Sequence, residues 1–219
     1  MRLLVKYPTK WRWERFKENL AQYVALCQDL DRTSFLVTVD EDDPWPEGLS
    51  KDFGPQDRPY RVGLTTAPAR GKVAAINHGI PASGWDVLLV VADDMVPSMY
   101  GWDEEIRQDF ARNPSAWLIN YNDDPRLGDH WRDLVTLPVM TSECYHHFGW
   151  VYNPIYESEC CDCEQTAIMG KMGRLAHVDK RPIAHEWTKY QTDELTRLNT
   201  EAGRRDNVIY ERRKAHGFT

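Results

Sequence analysis

Apolar and polar positions follow two rhythms along this chain, and the switches between them mark the elements. Arg2–Tyr7 and Ser34–Val39 are short apolar runs, and Trp85–Pro97 (WDVLLVVADDMVP) is the most saturated of all. Runs this short and rich in Val and Leu predict strands buried on both faces, as in a parallel sheet covered by helices. Between the first two runs, Trp13, Phe16, Leu20, Tyr23 and Cys27 recur at helical spacing, which predicts an amphipathic helix over Trp11–Leu30. Pro44–Pro59 is rich in Pro, Gly and Asp and reads as a loop. Tyr60–Leu64 reads as a strand, Ala69–Gly79 as a helix, Gly101–Arg112 as a helix and Ala116–Tyr121 as a strand. This alternation predicts βαβ units and a mostly parallel α/β sheet with helices on both faces.

The second half is less regular. Leu134–Met140 is strand-like, Thr141–Gly149 a short helix, Val151–Glu159 a loop and Asp162–Gly173 a helix. Asp179–Trp187 reads as strand or coil, and Gln191–His216 as one or two polar helices packed on the outside. There is no internal repeat and no linker composition, so the expectation is one domain over 1–219. Residues 1–120 would form its regular α/β half and 121–219 complete the site.

Right-handed crossovers would put every strand's carboxyl end on one rim. There they would gather Tyr7–Thr9, Asp40, Asp93 and Asp94. Ligands of such sheets bind beyond those ends. Two adjacent acids there suit a divalent cation carrying phosphate oxygens, because hard cations take oxygen ligands.

Composition narrows the class. A chain of 219 residues with 42% hydrophobic and 28% charged residues can bury a real core. No apolar run reaches the roughly 20 residues that span a bilayer, and MRLLVKYPTKWRW lacks a signal-peptide core, so a cytoplasmic protein without a membrane partner is expected. A net charge of −7 argues against a generic nucleic-acid coat. Nine Trp and ten Tyr, several in loop-like segments, suit stacking on sugars or bases. Cys160, Cys161 and Cys163 are spaced too tightly for the usual zinc knuckle, and free thiols are expected for all five cysteines.

Five stretches, KYPTKWRWERF, TVDEDD, GKVAAINHGI, VVADDMVP and the tail from FGWVYNPIYESECCDCEQ through AHEW to YERRKAHGF, together resemble the GT-A glycosyltransferases. The likeness is to family 2-like members and small bacteriophage-encoded relatives, and it runs nearly end to end. It implies a Rossmann-like GT-A domain, a UDP-sugar donor, Mn²⁺ or Mg²⁺, and transfer to an acceptor hydroxyl with inversion.

By that resemblance Pro8, Thr9 and Asp40 hold base and ribose, and Arg12, Arg70, Lys72, Asn77 and Asp93 line the rest of the nucleotide-sugar. Asp94 binds the metal, with Met95 where many members carry a further acid. Asp162 is the general base with Glu164 second; two apart on a helix, they cannot share a face. His185 completes the metal ligands, and Trp187 walls the acceptor pocket. Phage-type relatives point to 5-hydroxymethylcytosine in DNA as acceptor, which would need basic rim residues such as Lys10, Arg12 and Arg15 or the C-terminal arginines. Two other readings remain: a sugar-phosphate nucleotidyltransferase, against which the glycine-free turn Tyr7–Trp11 counts, and a non-catalytic sugar- or nucleotide-binding module.

Overall fold

The computed structural model describes residues 1–43, 61–186 and 194–218. The expected loop Pro44–Pro59 and Trp187 lie outside them. In chain order the strands are β1 (Leu3–Pro8), β2 (Thr33–Asp40), β3 (Arg61–Ala67), β4 (Val87–Val90), β5 (Met95–Pro97), β6 (Leu118–Tyr121), β7 (Val139–Thr141), β8 (Leu175–Val178) and β9 (Ile183–His185). The helices are α1 (Trp13–Ala25), α2 (Lys72–Asn77), α3 (Trp102–Arg112), α4 (Ser142–Phe148), α5 (Cys161–Lys171) and α6 (Glu194–Ala215).

Seven strands form one sheet in the order β3-β2-β1-β4-β7-β6-β8. β3, β2, β1 and β4 run parallel, as does the pair β6–β8. β7 opposes both its neighbours. The mostly parallel α/β expectation therefore holds, with one correction: β7's carboxyl end lies on the far rim. The expected strand Leu134–Met140 also shrinks to its last residues and Thr141.

Two cores explain why β4 is apolar throughout and β1 nearly so, its buried Lys6 donating to the Thr38 hydroxyl and the His78 carbonyl. Leu3, Val5 and Tyr7 pack on one face with Phe16, Leu20 and Tyr23 of α1 and Trp102, Ile106 and Phe110 of α3. Leu4, Leu88 and Val90 pack on the other with Val73 and Ile76 of α2, Cys144 of α4 and Met169 of α5. A strand with helices on both sides has no polar face to show, so alternation disappears.

The predicted helix Trp11–Leu30 stops at Ala25, and Leu30–Arg32 form a separate 3₁₀ turn that leads into β2. β5 and β9 make a small antiparallel sheet of their own, pairing Met95 with His185 and Pro97 with Ile183. Three-residue strands carry almost no period, and Pro97 disguises this one further. This pairing folds the tail back onto the rim.

Candidate active site

The acidic turn after β4 is held from below by one stripe of α1. Arg15, Asn19 and Tyr23 lie four residues apart and so share a helix face. Arg15 Nε and Asn19 Nδ2 donate to the Asp93 carbonyl at 3.3 and 2.8 Å, and the Tyr23 hydroxyl donates to the Met95 carbonyl at 3.1 Å. A tight turn that carries adjacent carboxylates is thereby tied to a rigid helix.

Asp93 turns inward. Its carboxylate accepts the Thr9 hydroxyl at 3.1 Å, joining the ends of β1 and β4. Burial pushes its pKa up to about 7; the Arg12 charge and the Thr9 hydrogen bond oppose that rise, and Asp94 adds to it. Pro8 is half-buried beside Thr9 at the end of β1.

Asp94 turns toward the tail. Its Oδ2 lies 3.3 Å from His185 Nε2, because β9 pairs with β5. The other imidazole nitrogen, Nδ1, faces Asp123 at 3.7 Å and Asp124 at 3.8 Å. Backbone bonds lock the same register: His185 N–H donates to the Asp123 carbonyl at 3.1 Å and Glu186 N–H to the Asp94 carbonyl at 2.6 Å. Arg15 closes the ring with an ion pair to Glu186 at 2.6 Å. Burial alone would lower the His185 pKa, but the facing carboxylates of Asp94 and Asp123 raise it to about 9. Burial likewise pushes Asp94 up, and His185 outweighs it, leaving that carboxyl below its ordinary range.

Asp123 and Asp124 are the residues that sequence reasoning missed. Asp123 also accepts the Thr136 hydroxyl at 3.0 and 2.9 Å, and Asp124 pairs with Arg126. A signal existed: Asn122-Asp123-Asp124 ends β6 as Ala92-Asp93-Asp94 ends β4.

Would a divalent cation fit? Two ligands at right angles, each about 2.1–2.2 Å from an ion, sit about 3.0 Å apart. The 3.3 Å between Asp94 and His185 matches that spacing. Carboxylates behind Nδ1 direct the imidazole so that Nε2 faces the site, the arrangement that orients metal-bound histidines. Among the described residues no three His, Cys, Asp or Glu side chains are already grouped around a metal position. An ion held by Asp94 and His185 would thus have to draw its remaining ligands from water and phosphate oxygens.

The remaining sequence-predicted residues separate into two groups. Asp40 closes the rim at the end of β2, paired with Lys10 at 3.0 Å; burial raises its pKa and Lys10 opposes the rise. Arg12 is half-buried, and its charge reaches both Asp93 and Asp94. Arg70 and Lys72 are exposed at the start of α2. Asn77 faces inward: its amide donates to the Tyr152 carbonyl at 2.7 Å and accepts from Val151 and Tyr152 N–H at 2.9 and 3.1 Å. Those contacts tie α2 to the segment before α5.

Asp162 and Glu164 differ sharply in surroundings. Asp162 is half-exposed in the first turn of α5, where its carboxylate accepts the Cys163 N–H at 2.8 Å. Glu164 is buried and saturated, accepting Asn153 at 2.9 Å, the Tyr156 hydroxyl at 2.7 Å and Arg213 at 2.7 and 2.9 Å. Asp162 and Asp123 act on one common neighbour, the phenol of Tyr152. Its pKa is raised by burial first, then by Cys161, Asp162 and Asp123. Asp162 and Asp123 thus both lie within electrostatic reach of Tyr152.

No protein-family model and no curated protein matches this sequence. Among solved structures, the chain is similar to a mannosyltransferase from Pyrobaculum calidifontis in complex with GDP-Man and Mn²⁺. There the TM-score is 0.68 at 14% identity, covering 86% of this chain and 58% of that one. It is also similar to S. aureus TarS 1-349 in complex with UDP-GlcNAc, with a TM-score of 0.67 at 11% identity, covering 93% of this chain and 65% of that one. The chain spans less than two thirds of either relative. The architecture is that of GT-A-like glycosyltransferases.

Proposed function

We propose that this protein is a nucleotide-sugar-dependent glycosyltransferase that moves a sugar from a UDP-sugar to an acceptor hydroxyl with inversion. The observation that carries the reading is Asp94 set against His185 at the end of β4, backed by Asp123 and Asp124. The likeness to chains solved with GDP-Man and with UDP-GlcNAc supports a nucleotide-sugar donor.

In this mechanism Pro8, Thr9 and Asp40 border base and ribose, with Arg12 and Lys72 supplying positive charge for the diphosphate. Asp94 and His185 would hold Mn²⁺ or Mg²⁺, which when bound offsets negative charge on the departing diphosphate. Asp123 and Asp124 keep the His185 ring oriented. Asp162 takes the acceptor's proton as its oxygen attacks the anomeric carbon from the face opposite the leaving group. Glu164 is not needed for that step, since its oxygens already bind Arg213, Tyr156 and Asn153.

DNA bearing 5-hydroxymethylcytosine remains the acceptor to test first, yet the rim offers it little. Lys10 is paired with Asp40 and Asp42, and Arg15 with Glu186. A duplex would have to be gripped by exposed arginines of α6 such as Arg204 and Arg212.

The test supplies UDP-glucose, UDP-GlcNAc and GDP-mannose with Mn²⁺ or with chelator and measures nucleoside diphosphate release, then repeats it with hydroxymethylated DNA and weighs the nucleosides. We expect metal-dependent release from at least one donor, lost in Asp94→Ala. Binding of a donor without release in any condition would instead favour a non-catalytic module, and pyrophosphate formation from a sugar phosphate would favour a nucleotidyltransferase. An unchanged nucleoside mass would remove DNA from consideration.

A further inference from the structure

The last helix of the chain looks unsuited to docking. Of the 22 residues of α6, the buried ones are Ala202, Gly203 and Asp206. Its inward face packs Ile209 and Tyr210 against the second core and otherwise carries a polar stripe at helical spacing. Asn199 meets the Ser158 hydroxyl at 3.1 Å, Asp206 follows two turns later, and Arg213 two turns beyond it pairs with Glu164. The Glu159 carboxylate lies over Gly203, where a Cβ would have to displace it.

Asp206 is fully buried, and its two oxygens accept three successive backbone N–H groups: Glu157 at 3.0 Å, Ser158 at 2.7 Å and Glu159 at 2.8 Å. The next residue, Cys160, enters α5 with φ of 59°, a left-handed conformation that costs a non-glycine residue energy and needs its surroundings to enforce it. Two positions further on is Asp162. The same segment is gripped from the opposite side by α2. The Val73 N–H donates to the Glu157 carbonyl at 3.0 Å, and Gly71 (φ 90°) lies so close that a Cβ would sit 2.7 Å from that oxygen. The field of Asp206 also reaches the start of α5, where burial first, and then Asp162, Glu159 and Asp206, push the Cys160 thiol up to about 11.

We propose that Asp206 is a positioning residue for transfer: by holding the Glu157–Glu159 amides it fixes the strained entry to α5 and so aims Asp162 at the acceptor. The aim of Asp162 rests on the glycosyltransferase reading; the clamp itself does not. The segment that this carboxylate holds lies between the Lys72 end of α2 and the Asp162 end of α5, and so links the donor and acceptor sides.

The test compares wild type, Asp206→Asn, Asp206→Ala and Asp162→Asn. Hydrogen exchange is followed at residues 157–164, with thermal midpoint, binding of UDP-GlcNAc and GDP-mannose, and Mn²⁺-dependent diphosphate release alongside. The clamp predicts at least tenfold faster exchange confined to 157–164 in Asp206→Ala, with a smaller effect in Asp206→Asn. It predicts kcat lowered at least tenfold with donor KM within twofold, and no further loss when Asp206→Asn is added to Asp162→Asn. Unchanged exchange at 157–164 overturns the clamp. A parallel fall in donor affinity and kcat with a lowered thermal midpoint reduces Asp206 to a stability role and overturns the positioning. Wild-type turnover in Asp162→Asn, or no turnover of any donor by wild type, sinks the proposed reaction while the exchange result still decides the clamp.

Discussion

The most exposed consequence of this site is the pH dependence of its buried imidazole. His185 has a folded pKa of about 9 against 6.5 for a free histidine, through Asp94 and Asp123 acting against burial. A raised folded pKa means that the folded chain binds the proton more tightly than the unfolded chain. The stabilisation is therefore complete below pH 6.5 and is lost as pH rises through about 9. At about 1.4 kcal/mol per unit, a shift of roughly two and a half units corresponds to about 3 kcal/mol. That is a large share of a stability of roughly 5–15 kcal/mol. The ring is almost entirely buried, so solvent screening removes little of it. Urea unfolding in chelator, at about pH 6 and at about pH 9.5, measures this term when wild type is compared with His185→Gln. The advantage of wild type over the variant should shrink by about 3 kcal/mol across that interval. A difference that stays flat over the interval would show that no protonated imidazole sits between these carboxylates, and the orientation of Nε2 toward a cation would fall with it.

Three other outcomes follow from named contacts. Asp162→Asn should lower transfer at least a hundredfold while leaving donor binding by calorimetry within twofold of wild type, because its carboxylate is half-exposed and the N–H it accepts is that of the next residue in its own helix. Glu164→Gln should do the reverse, lowering unfolding free energy by about 3 kcal/mol through the stranded Arg213 charge while the surviving folded protein keeps its donor KM. Asn19→Leu should cost about 1–3 kcal/mol in denaturant unfolding, since the Asp93 carbonyl loses its shorter donor, and should weaken Mn²⁺ binding measured by calorimetry as the acidic turn loosens.

The first half of the molecule was legible because its strands are covered on both faces and its helices on one, so period and composition agree. Residues 1–120 gave β1, α1, β2, α3 and β4 nearly in place. What escaped is short or polar. β5 and β9 have three residues each, too few for any period, yet their pairing is what brings His185 to Asp94. β8, four residues of Leu175–Val178 with half-buried side chains, left no apolar run. α6 was legible as a polar helix packed on the outside, but Asp206 and Arg213 were not legible as its anchors, because polar side chains that hold a helix look in the sequence like a solvated face. Asn77 was placed by resemblance beside the nucleotide, and its amide is occupied by the backbone of Val151 and Tyr152.

The charges at the rim make a stronger point than any single residue. Asp94, Asp123 and Asp124 surround one imidazolium, with Asp93 behind them so deeply buried that its pKa rises to about 7. Arg126 answers Asp124, the Thr136 hydroxyl and the His185 ring answer Asp123, and the Arg12 charge reaches the pair after β4. Burying that much negative charge opposes folding, and apolar residues of equal volume would serve stability better. Local rules are broken in this way at functional sites, and under the proposed function a divalent ion would offset part of this charge. His185 stands in for that ion until then: a proton on Nε2 occupies the direction in which a divalent ion would bind, and one must leave for the other to enter.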